Sequence, residues 1–213
     1  IIMNNQLWTE KYRPEKIEHL LISKENLDKI HIWINGFIKK KDPNISNCLL
    51  IYGPPGCGKT SLAYIILNKY KYDIIELNAS ELRKQKNMNE KMYEILHKQN
   101  ILSLFQHKKT ENAIIMDEID GLTMGERGTL NDLIKIMFPK KSELKSNPNK
   151  YRYKKYNHFI CISNTIDKKI NDIKNKSIFL NVKYPSKSVL QNLAKKILNK
   201  ENKNYNDLII KDI

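Results

Sequence analysis

The eight residues Gly53-Pro54-Pro55-Gly56-Cys57-Gly58-Lys59-Thr60 constrain this chain more than any other stretch. They fill the template G-x-x-x-x-G-K-[ST], with an apolar run before them and a helical pattern after them. Closely spaced glycines let consecutive backbone N–H groups turn inward onto phosphate oxygens, and a helix opening at Lys59 adds the positive end of its dipole. The expected nucleotide-binding residues are therefore Gly53, Pro54, Pro55, Gly56, Cys57, Gly58, Lys59 and Thr60, with Ser61 beside them in the first helical turn. Lys59 would reach the β- and γ-phosphates, and the Thr60 hydroxyl would ligate Mg²⁺. A bare match to the template also arises as a chance Gly/Pro turn, so its context has to carry weight.

That context is Ala113-Ile114-Ile115-Met116-Asp117-Glu118, four apolar residues ending in adjacent carboxylates. The pattern reads as a buried parallel strand that delivers acids to its carboxyl end. Two acids placed there call for a cation: Asp117 would complete the Mg²⁺ shell, and Glu118 would polarise the water that attacks a γ-phosphate. With the glycine-rich loop, the pair points to a nucleotide hydrolase, with ATP and Mg²⁺ as its ligands.

Five short β-type runs alternate with helical patterns: Cys48 to Tyr52, Ile74 to Leu77, Ala113 to Met116, Phe159 to Ile162, and Ile178 to Val182. Alternation of this kind predicts an α/β fold, a five-stranded parallel sheet with helices on both faces. Leu27, Ile30, Ile34, Phe37 and Ile38 recur at helical spacing after a Ser23 cap, and Leu130, Leu133, Ile134 and Met137 give a helix stopped by Pro139. Ligands of such sheets bind beyond the strand carboxyl ends, where Gly53, Asp117 and Asn164 would all lie. Tyr184-Pro185-Ser186 marks a boundary before an amphipathic helix carrying Val189, Leu190, Leu193, Ala194, Ile197 and Leu198. The domain reading is 1–183 for the nucleotide-binding α/β domain and 184–213 for the start of a helical lid cut short. The chain starts at Ile1 and stops at Ile213 within a helical pattern, so it is expected to be a piece of something longer.

Charge adds a second clue. Lys and Arg number 38 against 23 Asp and Glu, a formal net charge of +15. A polyanionic partner such as nucleic acid fits this excess, and so does a solvated surface in an Asn-, Ile- and Lys-rich sequence; charge alone does not choose. The segment Lys140 to Asn157 interleaves Lys140, Lys141, Lys145, Lys150, Arg152, Lys154 and Lys155 with Tyr151, Tyr153 and Tyr156 and lacks apolar periodicity. It reads as a basic loop or hairpin, able either to grip phosphates and stack bases or to stand solvated. Cys48, Cys57 and Cys161 form no C-x-x-C pair, which fits a reducing compartment, and the five histidines show no zinc-ligand spacing. No apolar stretch approaches the roughly 18 residues of a membrane span.

Four ordered motifs together are more specific than a glycine-rich loop: Leu7-Trp8-Thr9-Glu10-Lys11-Tyr12-Arg13-Pro14, the loop itself, Glu76-Leu77-Asn78-Ala79-Ser80, and Met116-Asp117-Glu118-Ile119-Asp120-Gly121. In order and spacing they resemble the AAA+ module of sliding-clamp loader subunits. Arg83 and Glu126-Arg127-Gly128 draw the likeness toward the replication factor C large subunit of eukaryotes, archaea and large DNA viruses. The resemblance runs from Leu7 to about Ile213. It implies an ATPase that opens a sliding clamp and loads it on primer–template DNA, within a hetero-oligomer of clamp-loader subunits. It further implies an intracellular setting, the nucleus in a eukaryote or the viral replication site in a host cell.

The resemblance also assigns roles that composition does not suggest. Tyr12, Arg13 and Pro14 would lie near the adenine and ribose, and Asn164 at the sensor-1 position would join Lys59 and Glu118 as the catalytic set. Asn78 would pair with Glu118, while Arg127 and Lys135 would face the DNA backbone. Where small subunits carry a Ser-Arg-Cys arginine finger, this chain has Asn175-Lys176-Ser177, so it is expected to offer no finger to a neighbour and to hydrolyse ATP slowly without partners. The sensor-2 segment and collar of the family would lie beyond Ile213. Two rival readings keep the fold: a non-hydrolysing nucleotide-dependent scaffold, and another AAA+ DNA-processing ATPase.

Overall fold

A computed structural model describes residues 7–38, 45–78, 92, 112–122, 129–146, 158–204 and 210. Five strands form one sheet in the order β2-β3-β4-β1-β5, and every pairing is parallel. They are β1 (Cys48–Tyr52), β2 (Asp73–Asn78), β3 (Asn112–Asp117), β4 (His158–Ser163) and β5 (Ile178–Asn181). The expected sheet is thus present, with each boundary within a residue of its apolar run; Val182 lies one residue past β5 rather than inside it.

The apolar runs are continuous because the inner strands are covered on both faces. Side chains alternate across a strand, so each strand supplies two cores. On one face Cys48 and Leu50 of β1, Ile114 and Met116 of β3, and Phe159 and Cys161 of β4 meet Leu130, Leu133, Ile136 and Met137 of α4 (Thr129–Met137) and Ile170 and Ile173 of α6 (Lys168–Lys176). On the other face Leu49, Ile51, Ile115, Ile160 and Ile162 meet Ile30 and Trp33 of α2 (Lys24–Trp33) and Leu62, Ala63, Ile66 and Leu67 of α3 (Lys59–Lys69). A short α1 (Trp8–Lys11) precedes α2 and a longer α7 (Lys187–Lys200) follows β5.

Local chemistry sets the helix ends. Ser23 accepts the Asn26 N–H at 3.3 Å and caps α2. Asp167 accepts the N–H groups of Lys169 and Ile170 at 2.9 and 2.8 Å and caps α6. Such caps satisfy backbone donors that have no partner inside the helix. Beyond Trp33 the turn widens into a π-helical stretch, Ile34–Ile38, in place of further α-helix.

One expectation is corrected. The basic segment after Pro139 opens with a short helix, α5 (Lys141–Ser146), not with a loop or hairpin strand. Glu143 reaches back to accept the Lys140 N–H at 3.0 Å, the local bond a helical turn needs at its start. Residues 147–157 lie outside the described residues, as do Ser80, Arg83 and Arg127.

Cys48 and Cys161 face each other from β1 and β4 with sulfurs 3.8 Å apart, and all three cysteines are free thiols. Burial, then the bond to Cys161, pushes the Cys48 thiol well above its ordinary value. Among the described residues no helix is long and apolar enough to cross a membrane.

Leu50 sits fully buried on β1, an inner strand of the sheet. Leu50→Ala is expected to cost about 2–5 kcal/mol in urea denaturation of the whole chain, and a loss under about 1 kcal/mol would mean this face is not close-packed.

Candidate functional site

The carboxyl ends of β1, β4 and β3 lie side by side, and the chemistry-bearing residues leave the sheet there. After β1 the chain turns through Gly53–Gly58 into α3. Gly56 and Gly58 take φ of +74° and +89°, left-handed values that favour glycine. At Gly53 the requirement is space: a Cβ would fall 2.1 Å from the Val182 carbonyl oxygen. Cys57 Sγ also contacts that oxygen, at 3.7 Å, and the Tyr184 hydroxyl donates to the Pro55 carbonyl at 2.7 Å. The loop is therefore seated against the β5–α7 connection.

Lys59 opens α3 yet points back into the loop. The residue is 6% exposed, and its ammonium donates to Gly53 O at 2.9 Å, Pro54 O at 2.8 Å and Asn164 Oδ1 at 2.8 Å. A buried ammonium needs such partners, since unpaired burial of a charge is costly. The third partner stands on the loop after β4, 105 residues away in sequence. One residue on, Thr60 Oγ1 donates to Asp117 Oδ2 at 2.8 Å, while Asp117 Oδ1 takes the Glu118 N–H at 2.8 Å. Ser61 follows, half-buried, in the first turn.

Glu118 is exposed and takes a φ of +55°. A non-glycine residue held there carries backbone strain of about 1–3 kcal/mol, a feature concentrated at functional sites. The Gly121 N–H donates to Glu118 O at 2.8 Å and closes the turn. Asn78 lies beside Asp117 through the β2–β3 register, at the same edge of the site.

Hydroxyl and carboxylate oxygens placed together suit a hard divalent cation such as Mg²⁺, which needs few protein ligands when phosphate oxygens supply the others. Among the described residues no group of three or more His, Cys, Asp or Glu is placed to hold a metal ion.

The Tyr12–Pro14 box is placed differently from the rest. The Tyr12 hydroxyl donates to Glu201 Oε1 at 2.6 Å and Lys11 pairs with the same oxygen at 2.6 Å, tying the segment to the residue after α7. Lys11 and then Tyr12 hold the Glu201 carboxyl below its ordinary value. Among the described residues no hydrogen bond joins Tyr12, Arg13 or Pro14 to the glycine-rich loop.

Sequence reading missed three contributors. Val182 acts through a backbone carbonyl, which no side-chain pattern signals. Tyr184 read only as part of a boundary. Asp120 accepts the Asn164 N–H at 3.3 Å and the Thr165 hydroxyl at 3.4 Å, a link across 44 residues. Beside the connection, Leu20–Ser23, Asn26, Phe179, Asn181–Ser186 and Val189 line a groove of about 670 Å³.

A glycine-rich loop leaving an inner strand of a parallel sheet, with the polar Asn164 after the adjacent strand and an acid pair at the end of the strand beyond it, is the pattern of a P-loop ATPase. Residues 49–182 match the model of the AAA family, ATPases associated with various cellular activities, and the chain belongs to that family. It is 30% identical over 150 residues to replication factor C subunit 1 of Schizosaccharomyces pombe, which covers 62% of this chain and 16% of that protein. Over 131 residues it is 32% identical to the replication factor C large subunit of Thermofilum pendens, covering 61% of this chain and 30% of that one. The corresponding protein of Methanococcus vannielii is 33% identical over 131 residues, covering 61% and 25%. The chain thus spans less than a third of the length of these relatives.

One turn beyond Thr60, the Tyr64 hydroxyl is bonded to the Glu76 carboxylate. That bond, then burial, pushes the phenol up to about 12 from 10.0; Asp117 acts in the same direction and Arg13 against it. Because the raised value belongs to the folded state, the stability this bond lends is intact below pH 10 and is lost as pH rises through about 12. Ultraviolet phenolate titration should show a component near pH 12 that is lost in Tyr64→Phe; a late component unchanged by that substitution would contradict the assignment.

Proposed function

We propose that this chain is the nucleotide-binding module of a clamp-loader large subunit, which uses ATP to hold a ring-shaped sliding clamp open and hydrolysis to release it on primer–template DNA. The observation that carries the reading is the bonding of Lys59, Thr60, Asp117 and Asn164 into one site, in a chain similar to replication factor C large subunits and to a replication factor C subunit 1. In this reading residues 1–183 are the nucleotide-binding domain and 184–213 begin the helical lid.

Binding would start with an exchange at Lys59. Its ammonium now rests on Gly53 O and Pro54 O; triphosphate oxygens would replace these carbonyls, while the loop N–H groups take the remaining phosphate charge. Thr60 and Asp117 would hold Mg²⁺, whose chemistry is to neutralise charge on the phosphate oxygens. Glu118, exposed at the end of the acid turn, would take a proton from the attacking water. Asn164, already on Lys59, would stand beside the γ-phosphate. Tyr12, Arg13 and Pro14 would close the adenine–ribose side, with Tyr12 tied to Glu201.

The arginine that spreads charge in the transition state would come from a neighbouring subunit, a contribution worth about 10³ to 10⁵ in rate. With Asn175-Lys176-Ser177 at the corresponding place, this chain would return none. Lys135, exposed on α4, and the excess of 38 Lys and Arg over 23 acids favour a phosphate backbone as partner, with affinity that falls as salt rises.

The test is ATP turnover of the full-length protein reconstituted with its small subunits, with and without clamp and primed DNA. Strong stimulation that requires both ligands and is lost with Lys59→Ala is expected. Turnover indifferent to the clamp would point to another AAA+ DNA-processing ATPase. Turnover unchanged by Lys59→Ala and by Glu118→Gln would make this subunit a nucleotide-dependent scaffold.

A further inference from the structure

Asn164 lies three residues past Cys161, whose pairing with Met116 is the last rung between β3 and β4. Beyond that rung the acid turn and the Asn164 loop leave the sheet on neighbouring strands, with no ladder to hold them in register. The residue that bridges them is Asp120. In the 3₁₀ turn Ile119–Leu122, the two end residues Ile119 and Leu122 are each 1% exposed in the core below. Asp120, between them, meets the β4 loop instead, and its Oδ2 accepts both the Asn164 N–H at 3.3 Å and the Thr165 hydroxyl at 3.4 Å. Both distances lie at the long end for hydrogen bonds, so what the bridge supplies is direction and spacing rather than strength.

Both ends of this bridge are themselves constrained. On one side the turn is closed by the Gly121 N–H on Glu118 O at 2.8 Å, and Glu118 is held at φ +55°. On the other side the Asn164 side chain reaches Lys59 Nζ at 2.8 Å. We infer that Asp120 is a positioning residue: it fixes the Asn164 backbone relative to the Glu118 turn, so that the groups flanking the γ-phosphate keep one spacing. The inference rests on the reading of Asn164 and Glu118 given above and adds a residue to it. Asp120 itself touches no substrate; it acts through Asn164. Displacing a positioned group by about 1 Å can cost about 100-fold in rate, whereas binding shared over the whole phosphate cradle would hardly change.

The experiment uses the full-length protein in its assembled complex, with nucleotide affinity and single-turnover hydrolysis measured separately. Asp120→Ala is expected to leave ATP affinity within about twofold and to slow hydrolysis about 10- to 100-fold. Asp120→Asn, which keeps an oxygen acceptor, should restore most of the rate. On an Asn164→Ala background the Asp120→Ala change should cost little more, because residues acting as a unit are not additive. If Asp120→Ala does not fold, Thr165→Val removes half of the same bridge and should give a smaller loss, again non-additive with Asn164→Ala.

Losses that multiply with Asn164→Ala, or a fall in affinity at unchanged rate, would overturn the positioning role while leaving the reading of the site intact. Unchanged hydrolysis in Asn164→Ala alone would overturn that reading, and the role of Asp120 with it.

Discussion

The Lys59 ammonium is the constraint on which the site depends. It is buried, and its three acceptors belong to two loops that leave different strands. An unpaired charge at that depth would cost several kcal/mol, so the glycine-rich loop and the Asn164 loop must stay where the ammonium can reach them. Under the proposed function the same geometry would favour an exchange. Two of the acceptors are backbone carbonyls of the loop that an incoming phosphate would line, and anionic phosphate oxygens are better partners for an ammonium than neutral carbonyls.

Everything around this contact limits how far the loop can move. The Val182 carbonyl leaves no room for a side chain at Gly53, and Tyr184 holds the Pro55 carbonyl from the same connection. That connection leads directly into α7, whose far end meets Lys11 and Tyr12 through Glu201. A change in the loop would therefore reach both the helix after the sheet and the segment before it. On the other side Thr60 joins α3 to the Asp117 end of β3, and Asp120 carries that end across to β4. The site is a ring of hydrogen bonds laid over the open end of the sheet.

Much of this was legible in the residues. Strands β1, β3 and β4 announce themselves because burial on both faces demands unbroken apolar runs, and Cys48–Tyr52 is a strand over the whole of its run. The loop was legible because its glycines answer a local steric need, and Asp117 and Glu118 because they end an apolar run in a chain that also carries that loop. Strand order was not, since pairing β1 with both β4 and β5 depends on residues more than a hundred positions apart. The helix in Lys141–Ser146 was missed because it has no apolar periodicity and rests on a local carboxylate bond. In the site, the bonds Lys59–Asn164, Tyr184–Pro55 and Asp120–Asn164 are all long-range, so spacing along the chain carries no trace of them. Asn164 itself came from family likeness, and its hydrogen bond to Lys59 is what the fold adds.

The most direct test of this account is a structure of the full-length protein with Mg²⁺ and a non-hydrolysable ATP analogue. The account predicts that Lys59 Nζ leaves Gly53 O and Pro54 O for phosphate oxygens while Thr60 and Asp117 meet at the cation. Nucleotide bound elsewhere, with Lys59 still on its own loop carbonyls, would contradict it.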